Sequence, residues 1–405
     1  MSAFDKPRLA RIDDWMRRYV EMGRFPGSTF LLAKGGKVAH RASVGFRDVA
    51  GKKPFGEETV ARIYSMTKPV VSVGILMLME RGLFHLDAPV SAFLPEFAEP
   101  RALRPGAKSV EEAEPCAPPT LHHLLTHTSG LTYGFNPGPL SEAYAKAEIN
   151  FGPNAPVPLA EMTKRLAALP LAFAPGARWE YSHATDVLGR VIEAVGGKPL
   201  DEWLESEIFE PLGMVDTGFA VPDRKLDRLA TLYTALPEGA GLALTRVQDG
   251  AMRVVETAEG SAWRAPRCLS GGGGLVSTID DYFLFAEMIR KGGAHDGARL
   301  LSPATVAFMR RNHLPGDIAS MGPKSFAETA MTGVGFGLGG SVVLDPALSH
   351  APGSVGDFSW GGIASTVFWT DPVLDLTAIF LTQLTPSSAY PARPELKALV
   401  HAAIA

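Results

Sequence analysis

Residues 65–79 read SMTKPVVSVGILMLM, and the first four of them form the only Ser-x-x-Lys in this chain of 405 residues. Residues three apart on a helix share a face, about 4.5 Å apart along the axis, so the serine hydroxyl and the lysine amine can touch. A serine hydroxyl is a weak nucleophile until a neighbouring base takes its proton. Lys68 can be that base only when it is neutral, which burial under residues 70–79 or a second cation nearby would favour. The segment therefore predicts a helix that carries a nucleophilic Ser65.

Pro69 indicates where this helix begins. A proline costs about 3 kcal/mol inside a helix but is tolerated in the first turn, where an N–H would have no partner. We therefore expect the helix to begin at Ser65 or just before it and to end near Arg81, ahead of Gly82. That start places the Ser65 hydroxyl where the helix dipole favours negative charge.

Strand patterns flank a largely helical middle. Apolar residues at helical spacing predict a surface helix over residues 7–22, and strands follow over 28–34 and 37–46 around Gly35-Gly36. Near the other end we predict strands over 336–344, 363–370 and 376–383 and a closing helix over 395–404. Between them lie predicted helices over 121–126, 159–169, 184–195, 200–209 and 279–290, and a loop over 104–120.

This order of elements predicts the fold class α/β (α+β), with one antiparallel sheet built from both chain termini, flanked by helices, and an inserted, mainly helical lobe. We expect residues 1–405 to form a single catalytic unit. Its sheet lobe would comprise about residues 1–64 and 275–405, and its helical lobe about residues 65–274. An active site between the lobes is then expected.

The composition excludes several classes of protein. Hydrophobic residues make up 46% and charged residues 20%, which excludes wholesale disorder. The formal charge is −4 without a basic block, so we expect no nucleic acid partner. Residues 1–7 lack an apolar signal segment and no apolar run near the motifs approaches 20 residues, so we expect no membrane partner and a cytoplasmic location. Cys116 and Cys268 form no CxxC, which fits a reducing compartment, although one long-range disulfide stays open.

The surroundings of Ser65 resemble the serine β-lactamase and penicillin-binding-protein superfamily, in particular class C β-lactamases and most closely family VIII carboxylesterases. The resemblance spans residues 9–399, and Ser-x-x-Lys is one of the signatures of that superfamily. It implies a β-lactamase/transpeptidase-like fold and an acyl-enzyme on Ser65, with no metal or cofactor needed. The segments that carry it are 61–68 (ARIYSMTK), 86–90 (LDAPV), 124–131 (LLTHTSGL), 211–214 (PLGM) and 272–278 (GGGLVST).

The second motif of this superfamily, Tyr-x-Asn, corresponds to Tyr181-Ser182-His183. The resemblance implies that Tyr181 and Lys68 take the proton of Ser65 and return it to the leaving alcohol. Because the usual pKa of tyrosine is near 10, this role requires Lys68 close by. His183 stands where the family has Asn, and both a substrate contact and a structural role stay open for it.

The third motif departs most from the family pattern. Trp360-Gly361-Gly362 stands where penicillin-binding enzymes carry Lys-Thr-Gly, whose lysine helps to bind a substrate carboxylate. An aromatic residue there favours an apolar acyl or alcohol group, and the glycines allow the strand edge to approach the substrate. We therefore predict substrate contacts from these three residues. The resemblance also implies that the N–H groups of Ser65 and Ile363 form an oxyanion hole.

Other chemical signals are weaker. The chain contains no Gly-x-Ser-x-Gly, which argues against an α/β-hydrolase. His123 and His127 have the spacing of helical zinc ligands, but no Glu lies between them and no third ligand is evident, so we expect structural histidines and no metal. The run Gly271–Gly274 lacks the Lys-Ser/Thr of a phosphate loop and indicates close backbone packing.

The sequence thus predicts a serine carboxylesterase that acts on a small-molecule ester without a cofactor. An acyltransferase stays open, because the acceptor and not the nucleophile decides the product. A β-lactamase or D-amino-acid peptidase with the same nucleophile is a further alternative, disfavoured by Trp360 and by the lack of an export signal. The complete set of Ser65, Lys68 and Tyr181 argues against a non-catalytic sensor or scaffold. The oligomeric state is left open.

Overall fold

An eight-stranded antiparallel sheet organises the computed structural model, which describes residues 4–239 and 251–405. The strands in these ranges are β1 (Gly27–Lys34), β2 (Lys37–Asp48), β3 (Lys53–Pro54), β4 (Ala61–Arg62), β5 (Arg101–Leu103), β6 (Ala113–Pro115), β7 (Leu232–Thr234), β8 (Arg253–Glu256), β9 (Val276–Ser277), β10 (Ala294–His295), β11 (Ala298–Arg299), β12 (Ser325–Phe326), β13 (Thr329–Ala330), β14 (Val334–Phe336), β15 (Ser341–Val343), β16 (Phe358–Gly361), β17 (Val367–Asp371), β18 (Leu376–Thr382) and β19 (Leu384–Thr385). The helices are α1 (Lys6–Glu21), α2 (Thr67–Glu80), α3 (Leu121–Leu125), α4 (Pro139–Lys146), α5 (Leu159–Ala167), α6 (Ala184–Gly196), α7 (Leu200–Leu204), α8 (Glu210–Leu212), α9 (Ile279–Arg290), α10 (Pro303–Met309), α11 (Ile318–Met321) and α12 (Ala392–Ala402).

Both ends of the chain build the large sheet. Its strand order is β14-β15-β16-β17-β18-β1-β2-β3, so the C-terminal strands meet the N-terminal ones where β18 pairs with β1. Phe30 lies opposite Phe380 in that pair. Gly35 and Gly36 join β1 to β2 with φ angles of 58° and 76°, the positive values that a primed hairpin turn requires. The predicted sheet from both termini is confirmed.

Helices α1 and α12 cover one face of this sheet and hold the two termini together. The apolar positions of α1 that recur at helical spacing are buried, as predicted for an amphipathic helix. The indole N–H of Trp15 and the hydroxyl of Tyr19 each donate to the Glu395 carboxylate of α12 at 2.8 Å. Helix α9 packs against β17 and β18.

Helix α2 runs through the main apolar core, and its residues 67–78 are all buried. A 3₁₀ turn over Tyr64–Met66 precedes it, so Ser65 lies just ahead of the α-helix rather than in its first turn. Pro69 is the third residue of α2, within the first turn as predicted. A Cβ on Gly74 would lie 2.9 Å from atoms of Ile192 and Trp203, so this glycine lets α6 and α7 approach α2 closely.

Several predicted boundaries are wrong. The predicted strand over 336–344 is the hairpin β14–β15, which turns at Gly339 with a φ of 93°. The predicted strand over 363–370 begins only at Val367, because residues 362–366 form the turn after β16. The predicted loop over 104–120 contains β6, which pairs with β5. Helix α4 was not predicted, because it buries only Leu140 and Tyr144 and so carries little apolar periodicity.

In the described ranges, no helix combines the length and the apolar character needed to cross a bilayer. Cys116 and Cys268 are both free thiols. The assignment of residues to a sheet lobe and a helical lobe stays a prediction.

Candidate active site

A sharp turn presents Ser65 at the start of α2. Tyr64 adopts a φ of 44°, a left-handed conformation that is uncommon for a residue with a side chain. From residue 61 to residue 70, Ser65 is the one position that is not buried. It lines a small cavity that opens to solvent and whose walls include the aromatic rings of Phe135, Phe151 and Phe326. The predicted nucleophile is therefore accessible within a largely apolar pocket.

Lys68 lies directly behind Ser65 and is completely buried. Its Nζ is 3.3 Å from the Ser65 Oγ, 3.1 Å from the Tyr133 hydroxyl and 2.6 Å from the Gly272 carbonyl oxygen. Burial lowers the pKa of Lys68 to about 7, against the opposing pull of the Asp186 carboxylate. A large fraction of Lys68 is therefore neutral near pH 7, as the predicted base requires.

Tyr181 meets the same pair of side chains. Its hydroxyl accepts a bond from the indole N–H of Trp360 at 3.3 Å, and both Tyr181 and Ser65 line the cavity. The Lys68 Nζ lies 4.4 Å from the centre of the Tyr181 ring. Burial raises the pKa of Tyr181, which the hydrogen bonds with Ser65 and Trp360 partly offset. Ser65, Lys68 and Tyr181, separated by up to 116 positions in sequence, thus form one cluster.

The Trp360-Gly361-Gly362 segment borders this cluster along β16. Gly361, Gly362 and Ile363 line the cavity together with Ser65. A Cβ on Gly362 would lie 2.3 Å from the carbonyl oxygen of Ile63, so only glycine allows this close approach of the two backbones. Trp360 itself is buried and is not among the cavity-lining residues.

His183 also lies behind the cavity wall. It is 1% exposed and is absent from the cavity lining, so its placement gives no support to the predicted substrate contact. Its Nδ1 is 2.8 Å from a carboxylate oxygen of Asp186 one turn further along α6. Its ring packs 4.4 Å from that of Tyr133.

Asp186, which sequence reasoning missed, connects His183 to the wall behind Lys68. Its other carboxylate oxygen accepts bonds from the Ser270 hydroxyl at 2.6 Å and the Gly272 N–H at 2.9 Å. Burial alone would raise the pKa of Asp186, but the interactions with His183, the bond from Ser270 and the charge of Lys68 hold it below the usual value. Asp186 thereby orients the Gly272 carbonyl that accepts from Lys68. The i, i+3 spacing of His183 and Asp186 is the signal that points to this pair.

Tyr133 is a second residue that the sequence analysis missed. It is buried and lines the cavity. Among the predicted motif residues, Lys68 is the one that is hydrogen-bonded to its side chain, by donating to the hydroxyl. Burial raises the pKa of Tyr133 well above its usual value, and Tyr181 and Asp186 raise it further. Its position two residues after the LLTHTSGL segment is the available sequence signal.

The two histidines considered as metal ligands have structural partners. The His123 Nδ1 accepts from the backbone N–H of Thr120 at 3.2 Å and completes the cap of α3. The His127 Nδ1 is 3.1 Å from the Ser182 hydroxyl. Burial lowers the pKa of His127, and the charge of Lys68 lowers it further.

This geometry agrees with comparisons to known proteins. A family model described as Beta-lactamase matches residues 12–402. The chain is 36% identical over 383 residues to Esterase EstB of Burkholderia gladioli. The alignment covers 92% of this chain and 90% of that protein. It is 31% identical over 374 residues to Acyltransferase calJ of Penicillium decumbens. That alignment covers 86% of this chain and 81% of the acyltransferase.

A solved structure extends the comparison to the fold. EstCE1, described as a hydrolase with promiscuous acyltransferase activity, superposes with a TM-score of 0.79 at 30% identity, over 98% of this chain and 99% of that one. The predicted β-lactamase/transpeptidase-like fold is confirmed. The chain belongs to the Beta-lactamase family.

Proposed function

We propose that this protein is a serine carboxylesterase that hydrolyses small-molecule esters through an acyl-enzyme on Ser65. The observation that carries the proposal is the completely buried Lys68, with its Nζ 3.3 Å from the Ser65 Oγ and its pKa lowered to about 7. The names of two similar proteins, Esterase EstB and the hydrolase EstCE1, support ester hydrolysis as the reaction.

In the first half-reaction, the Ser65 oxygen attacks the ester carbonyl while its proton passes to the base. A neutral Lys68 amine has two N–H groups and one lone pair. It can donate to Gly272 and Tyr133 and still accept the proton of Ser65. Tyr181, which lines the cavity beside Ser65, would relay this proton to the leaving alcohol.

The negative charge that develops on the carbonyl oxygen needs donors in place before the reaction. We propose that the backbone N–H groups of Ser65 and Ile363 supply them, since both residues line the cavity on adjoining backbones. Two preorganised donors of this kind contribute on the order of 3 kcal/mol each to a transition state. No metal or cofactor enters these steps.

In the second half-reaction, water takes the place of the alcohol. Tyr181 and Lys68 would remove a proton from that water, and the acid would leave as Ser65 regains its hydrogen. We propose that Gly361 and Gly362 contact the substrate along β16. Trp360 would act on Tyr181 by donating to its hydroxyl, rather than by touching the substrate.

Acyl transfer is the second candidate. It is favoured by the similarity to Acyltransferase calJ and to EstCE1, whose description includes promiscuous acyltransferase activity. The aromatic rings of Phe135, Phe151 and Phe326 would also accommodate an apolar acceptor alcohol. β-Lactamase or D-amino-acid peptidase activity has less support, because Trp360 stands where a lysine would bind the substrate carboxylate.

The formal charge and the two free cysteines bear on the partners and the location of the protein. With a formal charge of −4 and no basic block, we propose neither a nucleic acid nor a membrane partner. We propose the cytoplasm as the site of action, in keeping with the two free thiols at Cys116 and Cys268.

The test compares the protein with its Ser65→Ala variant on p-nitrophenyl esters of short and medium acids, with and without a competing alcohol, and on a chromogenic cephalosporin. We expect ester hydrolysis that the variant loses almost completely. Full activity in the variant would exclude Ser65 as the nucleophile. Faster turnover of the cephalosporin than of any ester would contradict the esterase proposal, and a mainly transesterified product would favour acyl transfer.

A further inference from the structure

One cation stands in the wall of the catalytic cavity. Among the described residues that line it, Arg393 alone carries a charge. This arginine lies in the first turn of α12, and its guanidinium reaches across the turn between β16 and β17. Its Nη2 donates to the carbonyl oxygens of Gly362 at 2.6 Å and Thr366 at 3.0 Å. A Cβ on Gly361 would lie 2.6 Å from this Nη2, so Gly361 makes room for the guanidinium.

Glu328 supplies the opposite charge from another part of the chain. It lies in the turn of the β12–β13 hairpin, where Phe326 and Ala327 form part of the cavity wall. The Arg393 Nη1 is 3.3 Å from a Glu328 carboxylate oxygen, and only 5% of the Glu328 side chain is exposed. Burial raises the pKa of Glu328, and the charge of Arg393 opposes this rise.

The remaining nitrogen of Arg393 is not available to a ligand. Its Nε is buried without a hydrogen-bond partner in the described residues, Nη2 is held by two carbonyl groups and Nη1 faces Glu328. A substrate carboxylate that approached Nη1 would compete with the Glu328 carboxylate already held there. Burying an unpaired carboxylate is costly, and like charges placed together repel.

We propose that the Glu328–Arg393 pair restricts this pocket to esters whose acyl and alcohol groups are uncharged, and that Glu328 masks an anion site on Arg393. This inference rests on the proposed esterase function and adds a substrate class to it. The pair acts on specificity: Ser65, Lys68 and Tyr181 are the same with either substrate class.

The first test uses the unaltered protein and two esters of one acid. 4-Nitrophenyl methyl adipate is uncharged, and mono-4-nitrophenyl adipate differs from it by one free carboxylate. We expect kcat/KM, corrected for the alkaline hydrolysis rate of each ester, to be at least about tenfold higher for the uncharged ester. Equal values would overturn the inference while leaving the esterase proposal standing. Hydrolysis of neither ester would overturn the esterase proposal itself, and the inference with it.

The second test removes the negative charge of Glu328. In Glu328→Gln, the uncompensated Arg393 should raise the ratio of kcat/KM for the anionic over the uncharged ester by about tenfold. The matched control is the double variant E328Q/R393Q, in which both charges are gone. Its ratio should return to that of the unaltered protein. An unchanged ratio in a folded E328Q, or the same rise in the double variant, would overturn the inference. If E328Q does not fold, the comparison of the two esters on the unaltered protein decides.

Discussion

Two completely buried cations, six residues apart, behave in opposite ways. Arg62 is paired with the Glu256 carboxylate, donates to the Ala230 carbonyl oxygen at 2.6 Å and lies 5.1 Å from the centre of the Trp263 ring. Lys68 has oxygen partners that carry no charge, and its pKa falls to about 7.

The difference shows how one core holds both a structural and a reactive cation. A guanidinium is always charged in proteins and needs a partner when buried, whereas burial without a carboxylate in contact lowers the pKa of an ammonium group such as that of Lys68. Asp186 is the carboxylate that raises the Lys68 pKa, yet its oxygens are engaged by His183, Ser270 and Gly272 rather than by the amine.

Replacing the reactive cation should cause the largest loss. Lys68→Met keeps an unbranched side chain of similar length but removes the base, so we expect kcat/KM for p-nitrophenyl esters to fall by about 10³- to 10⁴-fold. The melting temperature should change little, because removing a buried amine offsets the loss of its bonds to Gly272 and Tyr133. Steady-state kinetics and thermal melts measure both quantities, and a variant with more than a tenth of the original activity would exclude Lys68 as the base.

Replacing the structural cation should damage stability instead. Arg62→Met leaves the Glu256 carboxylate without its partner, and breaking a buried pair in this way costs about 3–5 kcal/mol of unfolding free energy. Urea denaturation measures the loss. The pH dependence of the remaining folded enzyme should match that of the unaltered protein, and a shifted pH profile would mean that Arg62 also acts on the catalytic groups.

The pH dependence of the unaltered enzyme follows from the lowered pKa of Lys68. Activity requires the neutral amine, so kcat/KM should fall as the pH drops through about 7 and reach roughly a tenth of its plateau at pH 6. The free energy of unfolding also falls as the pH drops, over the window from about 10.4 to about 7. In that window the unfolded chain holds the Lys68 proton and the folded chain does not. A rate that stays flat from pH 5 to pH 8 would contradict the role of Lys68.

The smallest effect is expected from the positioning residue. Asp186→Asn removes the charge that raises the Lys68 pKa, so the acid limb of the pH profile should move to lower pH. Glu at the same position would keep the charge and should leave the limb closer to its original place. A lower rate without any displacement of the limb would limit Asp186 to a structural role.

The sequence predicted the fold well where the signal is local or motif-based. The apolar period of α1 and the Gly35-Gly36 turn helped to predict the sheet built from both termini. The order of the motifs along the chain predicted that Lys68 and Tyr181 lie close to Ser65. The predicted strand boundaries are wrong where a single short turn sets them, as at residues 362–366, because a short turn leaves little periodicity in the sequence. The sequence also correctly placed Pro69 in the first helical turn.

The polar groups behind the site could not be predicted in the same way. Asp186 and Gly272 are 86 positions apart, and Glu328 and Arg393 are 65 apart. No pattern along the chain records which distant side chains meet once the sheet closes. His183 shows the same limit, since its spacing to Asp186 was visible in the sequence while its burial behind the cavity wall was not.

The pairing of β1 with β18 has a consequence for synthesis of the chain. Phe30 and Phe380 are opposite each other in the sheet but 350 positions apart in the sequence. At ordinary elongation rates, β18 is therefore synthesised roughly 20 to 70 s after β1. During that interval one edge of β1 has no partner, and an unpaired edge is a template for association with other chains. Arg393 follows Ser65 by 328 positions, so the nascent chain cannot complete its catalytic cavity until this late residue has been added.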